Sequence, residues 1–222
     1  MSVEATKEWI ERCGIIPVLR AGSAREGHAL VEALVAGGIT VIEVTMTVPN
    51  AVELLRDLRR EFGNRVLLGS GTVTDVGQVQ ATIEAGAQFV VSPSFHFEVV
   101  GRTKALHKVS IPGALTPTEV ITAWRAGADY VKVFPCSAMG GASYLKSLLA
   151  PFPELDLIPT GGVNLQTAVE FLKAGARALG VGTDLVDPRA IAAGKPETVT
   201  HTARKYMEIM AHWRAAHPSP NA

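Results

Sequence analysis

Aromatic residues are scarce in this chain, 6% of its 222 positions, and charged residues make up only 19%. Lys plus Arg and Asp plus Glu both number 21, so neither sign of charge is in excess. Without a basic run or an interleaved aromatic stripe, the electrostatic footprint of a nucleic-acid binder is missing. No run approaches the roughly 20 apolar residues that cross a bilayer. The N-terminal MSVEATKEWIERCG alternates charged and apolar residues, as a short amphipathic helix over 1–13 does and a secretory leader does not. These absences predict a soluble cytoplasmic protein with neither a nucleic-acid nor a membrane partner, and a small neutral or anionic ligand.

Cysteine is rare as well. Cys13 precedes the first apolar run and Cys136 follows a later one. In a parallel sheet these positions lie at opposite ends, beyond the roughly 7 Å that a disulfide spans, so both read as free thiols. The six histidines, at 28, 96, 107, 201, 212 and 217, fall in predicted helices, loops or the tail. None pairs with an acid at ligand spacing on a strand end, and no metal is expected. A GxGxxG after the first strand is also missing, which counts against an open doubly wound sheet.

What the chain has is aliphatic material, within a hydrophobic share of 47%. Short Val, Ile and Leu runs alternate with helical periodicity along its length. The predicted strands are 14–20, 40–46, 66–72, 88–93, 109–115, 130–135, 155–162 and 178–185. Their near-continuous hydrophobicity suits a parallel sheet covered on both faces. Four junctions, VAGGITVIEV, EAGAQFVVS, RAGADYVKVF and KAGARALGV, put Ala-Gly at a helix end just before a strand. That assigns Gly37, Gly86, Gly127 and Gly175 to the left-handed helix stop. Helix starts are marked by Thr74-Asp75, Thr116-Pro117 and Asn164. Eight strands joined by right-handed helical crossovers predict a (β/α)8 TIM barrel as one domain over 1–222. A C-terminal helix follows at about 196–216, with PSPNA beyond it as a loose tail.

Barrel active sites lie at the C-terminal ends of the strands. Two ionisable residues there are flanked by valine or isoleucine inside strands: Glu43 in IEV and Lys132 in VKV. A bland reading makes them a buried ion pair that fixes strand register. The chemical reading starts from desolvation, which disfavours the ammonium and leaves an amine able to attack a ketone. The resulting Schiff base is an electron sink for breaking a carbon–carbon bond, with Glu43 as proton carrier. PTGGV and GVGTD, ending strands seven and eight, occupy the usual place for phosphate in these barrels, which makes Gly161, Gly162, Gly182 and Thr183 the phosphate candidates.

Together, IEVTMT, GSGTV, VSPSFH, IPGALTPTE, YVKVFPCSAMGG, IPTGGV and GVGTDLV resemble the bacterial 2-keto-3-deoxy-6-phosphogluconate (KDPG) and 4-hydroxy-2-oxoglutarate (KHG) aldolases, from about Gly14 to Asp184. The resemblance implies a class I lyase that cleaves KDPG to pyruvate and D-glyceraldehyde 3-phosphate without cofactor or metal. It implies Lys132 as the Schiff-base lysine and Glu43 as the acid/base acting with a water. Thr72 and Pro93 would line the pyruvate half of the site, and Thr160 would lie beside the substrate hydroxyls. It also implies a homotrimer. Many members carry an arginine two residues after the strand-two threonine, where this chain has Thr47. Arg20, ending PVLR, is the predicted replacement that clamps the substrate carboxylate. The pyruvate end is common to KDPG, its phosphogalactonate epimer and 4-hydroxy-2-oxoglutarate, so all three remain candidate substrates. A phosphosugar epimerase or isomerase and a non-catalytic sugar-phosphate binder are the more distant alternatives.

Overall fold

The computed structural model describes residues 1–217. The PSPNA segment, expected as a tail, lies outside the described residues.

The chain alternates helix and strand: α1 (Val3–Cys13), β1 (Ile15–Leu19), α2 (Ala24–Ala36), β2 (Val41–Thr45), α3 (Ala51–Phe62), β3 (Leu67–Gly71), α4 (Val76–Glu84), β4 (Phe89–Val91), α5 (Phe97–Ala105), β5 (Val109–Ile111), β6 (Gly113–Ala114), α6 (Pro117–Arg125), β7 (Val131–Val133), α7 (Ala142–Leu149), β8 (Leu157–Pro159), α8 (Ala168–Lys173), β9 (Leu179–Val181), α9 (Pro188–Ala192) and α10 (Pro196–Ala216). Every strand residue is buried, as two-sided coverage by helices requires.

Each apolar run read from the sequence contains a strand, but the fifth contains two. Pro112 has no N–H to donate and separates β5 from β6. The parallel ladders accordingly form a six-stranded sheet, β5-β4-β3-β2-β1-β9, curled into a half-barrel, and a three-stranded sheet, β6-β7-β8. Outside the named strands, Thr160 makes a parallel bridge to Gly180 of β9. The amide of Lys132 donates to the Pro112 carbonyl at 2.9 Å, so the break itself supports β7.

Local chemistry explains the helix starts. Thr116 and Glu119 form a reciprocal capping box at α6, with Pro117 in its first turn, and the Asp75 side chain caps α4. Asn164 does not start α8. Its carboxamide oxygen accepts from the amides of Gln166 and Thr167, a turn that delays the helix to Ala168.

One helix stop also differs. Gly86, Gly127 and Gly175 take positive φ, but Gly37 is right-handed at −85° and the turn falls on Gly38 at +93°. Gly37 is needed for proximity instead: a Cβ there would sit 2.3 Å from that of Ala203 and 2.8 Å from the Thr200 carbonyl, where α10 crosses α2. Among the described residues no helix is long and apolar enough to cross a membrane.

Candidate active site

Strand pleating puts Glu43 and Lys132 in the interior. Their side chains are 3% and 8% exposed, and Lys132 Nζ stands 3.9 Å from Glu43 Oε1. That is too long for a hydrogen bond, and Oε1 has no hydrogen-bond partner among the described residues. A buried carboxylate oxygen without a donor is rare in folded proteins and requires a reason.

The shape of β3 allows this carboxylate. Glu43 pairs in register with Gly69, but its side chain leans two residues further, over Gly71. A Cβ on Gly71 would come within 2.0 Å of Glu43 Oε1, so the carboxylate fills the space this glycine leaves. Burial raises the Glu43 pKa, and the positive charges of Lys132 and then Arg20 oppose that rise without cancelling it. Glu43 therefore holds its proton to higher pH than an exposed glutamate.

Six of the sequence candidates meet in one cavity of about 330 Å³: Arg20, Thr160, Gly161, Gly162, Gly182 and Thr183. They arrive from the ends of β1, β8 and β9, adjacent around the mouth of the fold. Phe134 also lines this cavity, and its ring centroid lies 5.3 Å from Lys132 Nζ. The same ring borders a second hollow of about 270 Å³ that contains Pro93. Thr72 stands just past β3 with φ at +58°, a left-handed conformation that costs a β-branched residue roughly 1–2 kcal/mol. It lines neither cavity. Thr47 hydrogen-bonds Thr45 at 2.7 Å, and the Thr45 hydroxyl donates to the Leu19 carbonyl at 2.8 Å, so this corner is closed by hydroxyls. Among the described residues, no group of three or more His, Cys, Asp or Glu side chains could hold a metal ion.

The model of the KDPG and KHG aldolase family matches residues 6–202. The chain belongs to that family. It is therefore a carbon–carbon lyase of the aldolase type. A 2-dehydro-3-deoxy-phosphogluconate aldolase of Treponema pallidum is 36% identical over 204 residues, covering 91% of this chain and 96% of the relative. A 2-dehydro-3-deoxy-6-phosphogalactonate aldolase of Escherichia coli is 32% identical over 179 residues, covering 80% and 87%. Among solved structures, the KDPG aldolase of Legionella pneumophila, with pyruvate captured at low pH as a covalent carbinolamine, superposes with a TM-score of 0.83 at 31% identity. That match covers 90% of this chain and 96% of the other.

Sequence reasoning alone missed several residues at the mouth of this aldolase. Phe134 was discoverable, because two residues beyond Lys132 a strand returns to the same face. Asn164 and Asp184 line the larger cavity, and Ser137 lies so close to Gly162 that a Cβ on the glycine would be 2.5 Å from the serine Cβ. Cys136 is buried, and its thiol is pushed up to about 11 by desolvation, so it stays protonated at neutral pH.

Proposed function

We propose that this aldolase is a class I, Schiff-base enzyme that cleaves KDPG to pyruvate and D-glyceraldehyde 3-phosphate. The observation that carries the reading is the apposition of Lys132 and Glu43, a buried amine facing a buried carboxylate oxygen without a bonding partner. Lys132 passes its proton to the Glu43 carboxylate, directly or through a water, and as the free amine attacks the C2 ketone. Glu43, in its acid form, protonates the carbinolamine hydroxyl, which leaves as water and yields the iminium. The Glu43 carboxylate, directly or through a water, then takes the proton of the C4 hydroxyl. The C3–C4 bond breaks, its electron pair flows into the enamine, and the aldehyde departs. Protonation at C3 and hydrolysis of the iminium release pyruvate and restore the lysine. The covalent carbinolamine in the Legionella enzyme supports this reading.

The family resemblance divides the site residues: Thr72, which lines neither cavity, and Pro93, in the smaller hollow, are assigned to the pyruvate half, and Thr160, in the larger cavity, to the hydroxyls. The amides at Gly161, Gly162 and Gly182, with Thr183, receive the phosphate. In the fold we propose, the two sheets form one (β/α)8 barrel domain joined through Pro112 and the Thr160–Gly180 bridge, and family resemblance extends the proposal to a homotrimer. A phosphogalactonate substrate is the second reading. It is favoured by Thr47 in place of the usual arginine and by the Escherichia coli relative. Steady-state rates on KDPG, its phosphogalactonate epimer and 4-hydroxy-2-oxoglutarate, measured side by side, test the assignment. The highest kcat/KM on KDPG is expected, and a higher value on either of the others would replace it.

Arg20 is the proposed carboxylate clamp. It lies on the cavity wall, and its charge is felt at Glu43. Arg20→Ala should raise the KM for pyruvate in the condensation direction by roughly 10–100-fold, the loss of a charge-assisted pair of hydrogen bonds. An unchanged KM would move the clamp elsewhere.

A further inference from the structure

The proposed chemistry leaves one buried hydroxyl beside the site without a task. Tyr206, midway along α10, is fully buried, yet its Oη donates a 2.5 Å hydrogen bond to Oδ2 of Asp184. Asp184 follows Thr183 directly and lines the same cavity as Gly161, Gly162 and Gly182. The rest of this turn is held from below. The amides of Leu185 and Val186 donate to the Gly182 carbonyl at 3.1 and 2.9 Å, and both side chains are buried.

A carboxylate in a cavity whose glycine amides suit an anion works against that anion. Asp184 is exposed at this mouth, so water and salt weaken its repulsion of an anion there without removing it. The fold therefore has to hold this charge in a fixed place. Burial, and then the bond to Asp184 itself, drive the Tyr206 phenol far above its ordinary range. Its proton stays in place at any working pH, and the hydroxyl remains a donor. The tyrosine ring is fixed by the core, so the point to which it ties the carboxylate is fixed as well.

We propose that Tyr206 is a positioning residue for the phosphate cradle: its hydroxyl anchors the Asp184 carboxylate to α10 and keeps that charge off the bound phosphate. The inference rests on the phosphate reading of Gly161, Gly162, Gly182 and Thr183 given above. Tyr206 touches no substrate and acts through Asp184. Without the hydroxyl, Asp184 can turn its full charge toward the anion.

The test compares KM and kcat for the better phosphorylated substrate with those for the same keto-deoxy sugar acid without its phosphate, which carries no charge at that end. Tyr206→Phe keeps the ring in the core. It should raise the phosphorylated KM about 10-fold, the worth of one hydrogen bond to a charged group, with kcat and the KM for the unphosphorylated sugar acid unchanged. Adding Asp184→Asn to Tyr206→Phe removes the released charge and should restore the phosphorylated KM. Equal damage to both substrates, or a double variant as impaired as the single one, would overturn the proposal in favour of general loosening of the turn. Thr183→Ala separates the two readings. If it raises the phosphorylated KM while Tyr206→Phe does not, the positioning role alone falls. If neither variant moves it, the phosphate site falls and the positioning role with it.

Discussion

Lys132→Met is expected to lower the cleavage rate by at least about 10⁴-fold, because removal of a covalent nucleophile leaves only binding and the surrounding electrostatics. Wild-type enzyme treated with pyruvate and borohydride should carry a pyruvate-derived mass on the peptide containing Lys132, and the methionine variant should carry none. Methionine has nearly the length of lysine and suits the valine-lined strand, so loss of rate with the melting transition retained assigns the defect to chemistry. The bland alternative, a buried ion pair that only fixes register, predicts the reverse: a destabilised protein with its rate largely intact. Trapping that persists in the variant would end the Schiff-base proposal at this residue.

Glu43→Gln should reduce kcat by about 10²–10⁴-fold, the range for a positioned general acid/base. Glutamine keeps the shape over Gly71 and cannot carry a proton between the carbinolamine and the C4 hydroxyl. The same variant has a second readout, in stability. In the folded protein the Glu43 pKa lies above its ordinary value of 4.5 because burial penalises the charge. The folded state thus binds this proton more tightly than the unfolded chain does. That contribution to stability is complete below pH 4.5 and is lost as pH rises through the raised folded value. Glutamine resembles the protonated acid at every pH. The melting temperatures of wild type and variant should lie close together in acid and separate above pH 4.5, with Glu43→Gln the more stable. A gap independent of pH would mean that burial does not govern this carboxyl.

The β/α alternation and the two interior ionisable residues are legible in the sequence because both depend on local context. A parallel strand is an apolar run, and a charge inside such a run stands out. Gly37 shows where local context runs out: like Gly86, Gly127 and Gly175 it follows an alanine, but a second glycine, Gly38, comes after it and takes the turn, and Ala203, 166 positions away, decides what Gly37 is for. The Asn164 turn is a local alternative to a helix cap that the same residue type permits equally well. The break at Pro112 was visible as a proline, but its effect is to divide hydrogen bonding between strands, which one strand's sequence does not display. Arg20 could be placed at a strand end, yet its meeting with Thr160 and Thr183 across β1, β8 and β9 is a property of the sheet. The Tyr206–Asp184 bond joins residues 22 apart, one on a helix whose periodicity announces only burial.

The division at Pro112 also places the two central residues on different rafts. Glu43 belongs to the six-stranded sheet and Lys132 to the three-stranded one. Their 3.9 Å separation is thus an inter-sheet clearance, set by how the two sheets dock at the Pro112 and Thr160–Gly180 seams. Small breathing at either seam would open or narrow the gap between amine and carboxylate while both strands stay rigid. A change at Pro112, which lines neither cavity, would therefore be felt first as a change in proton-transfer distance.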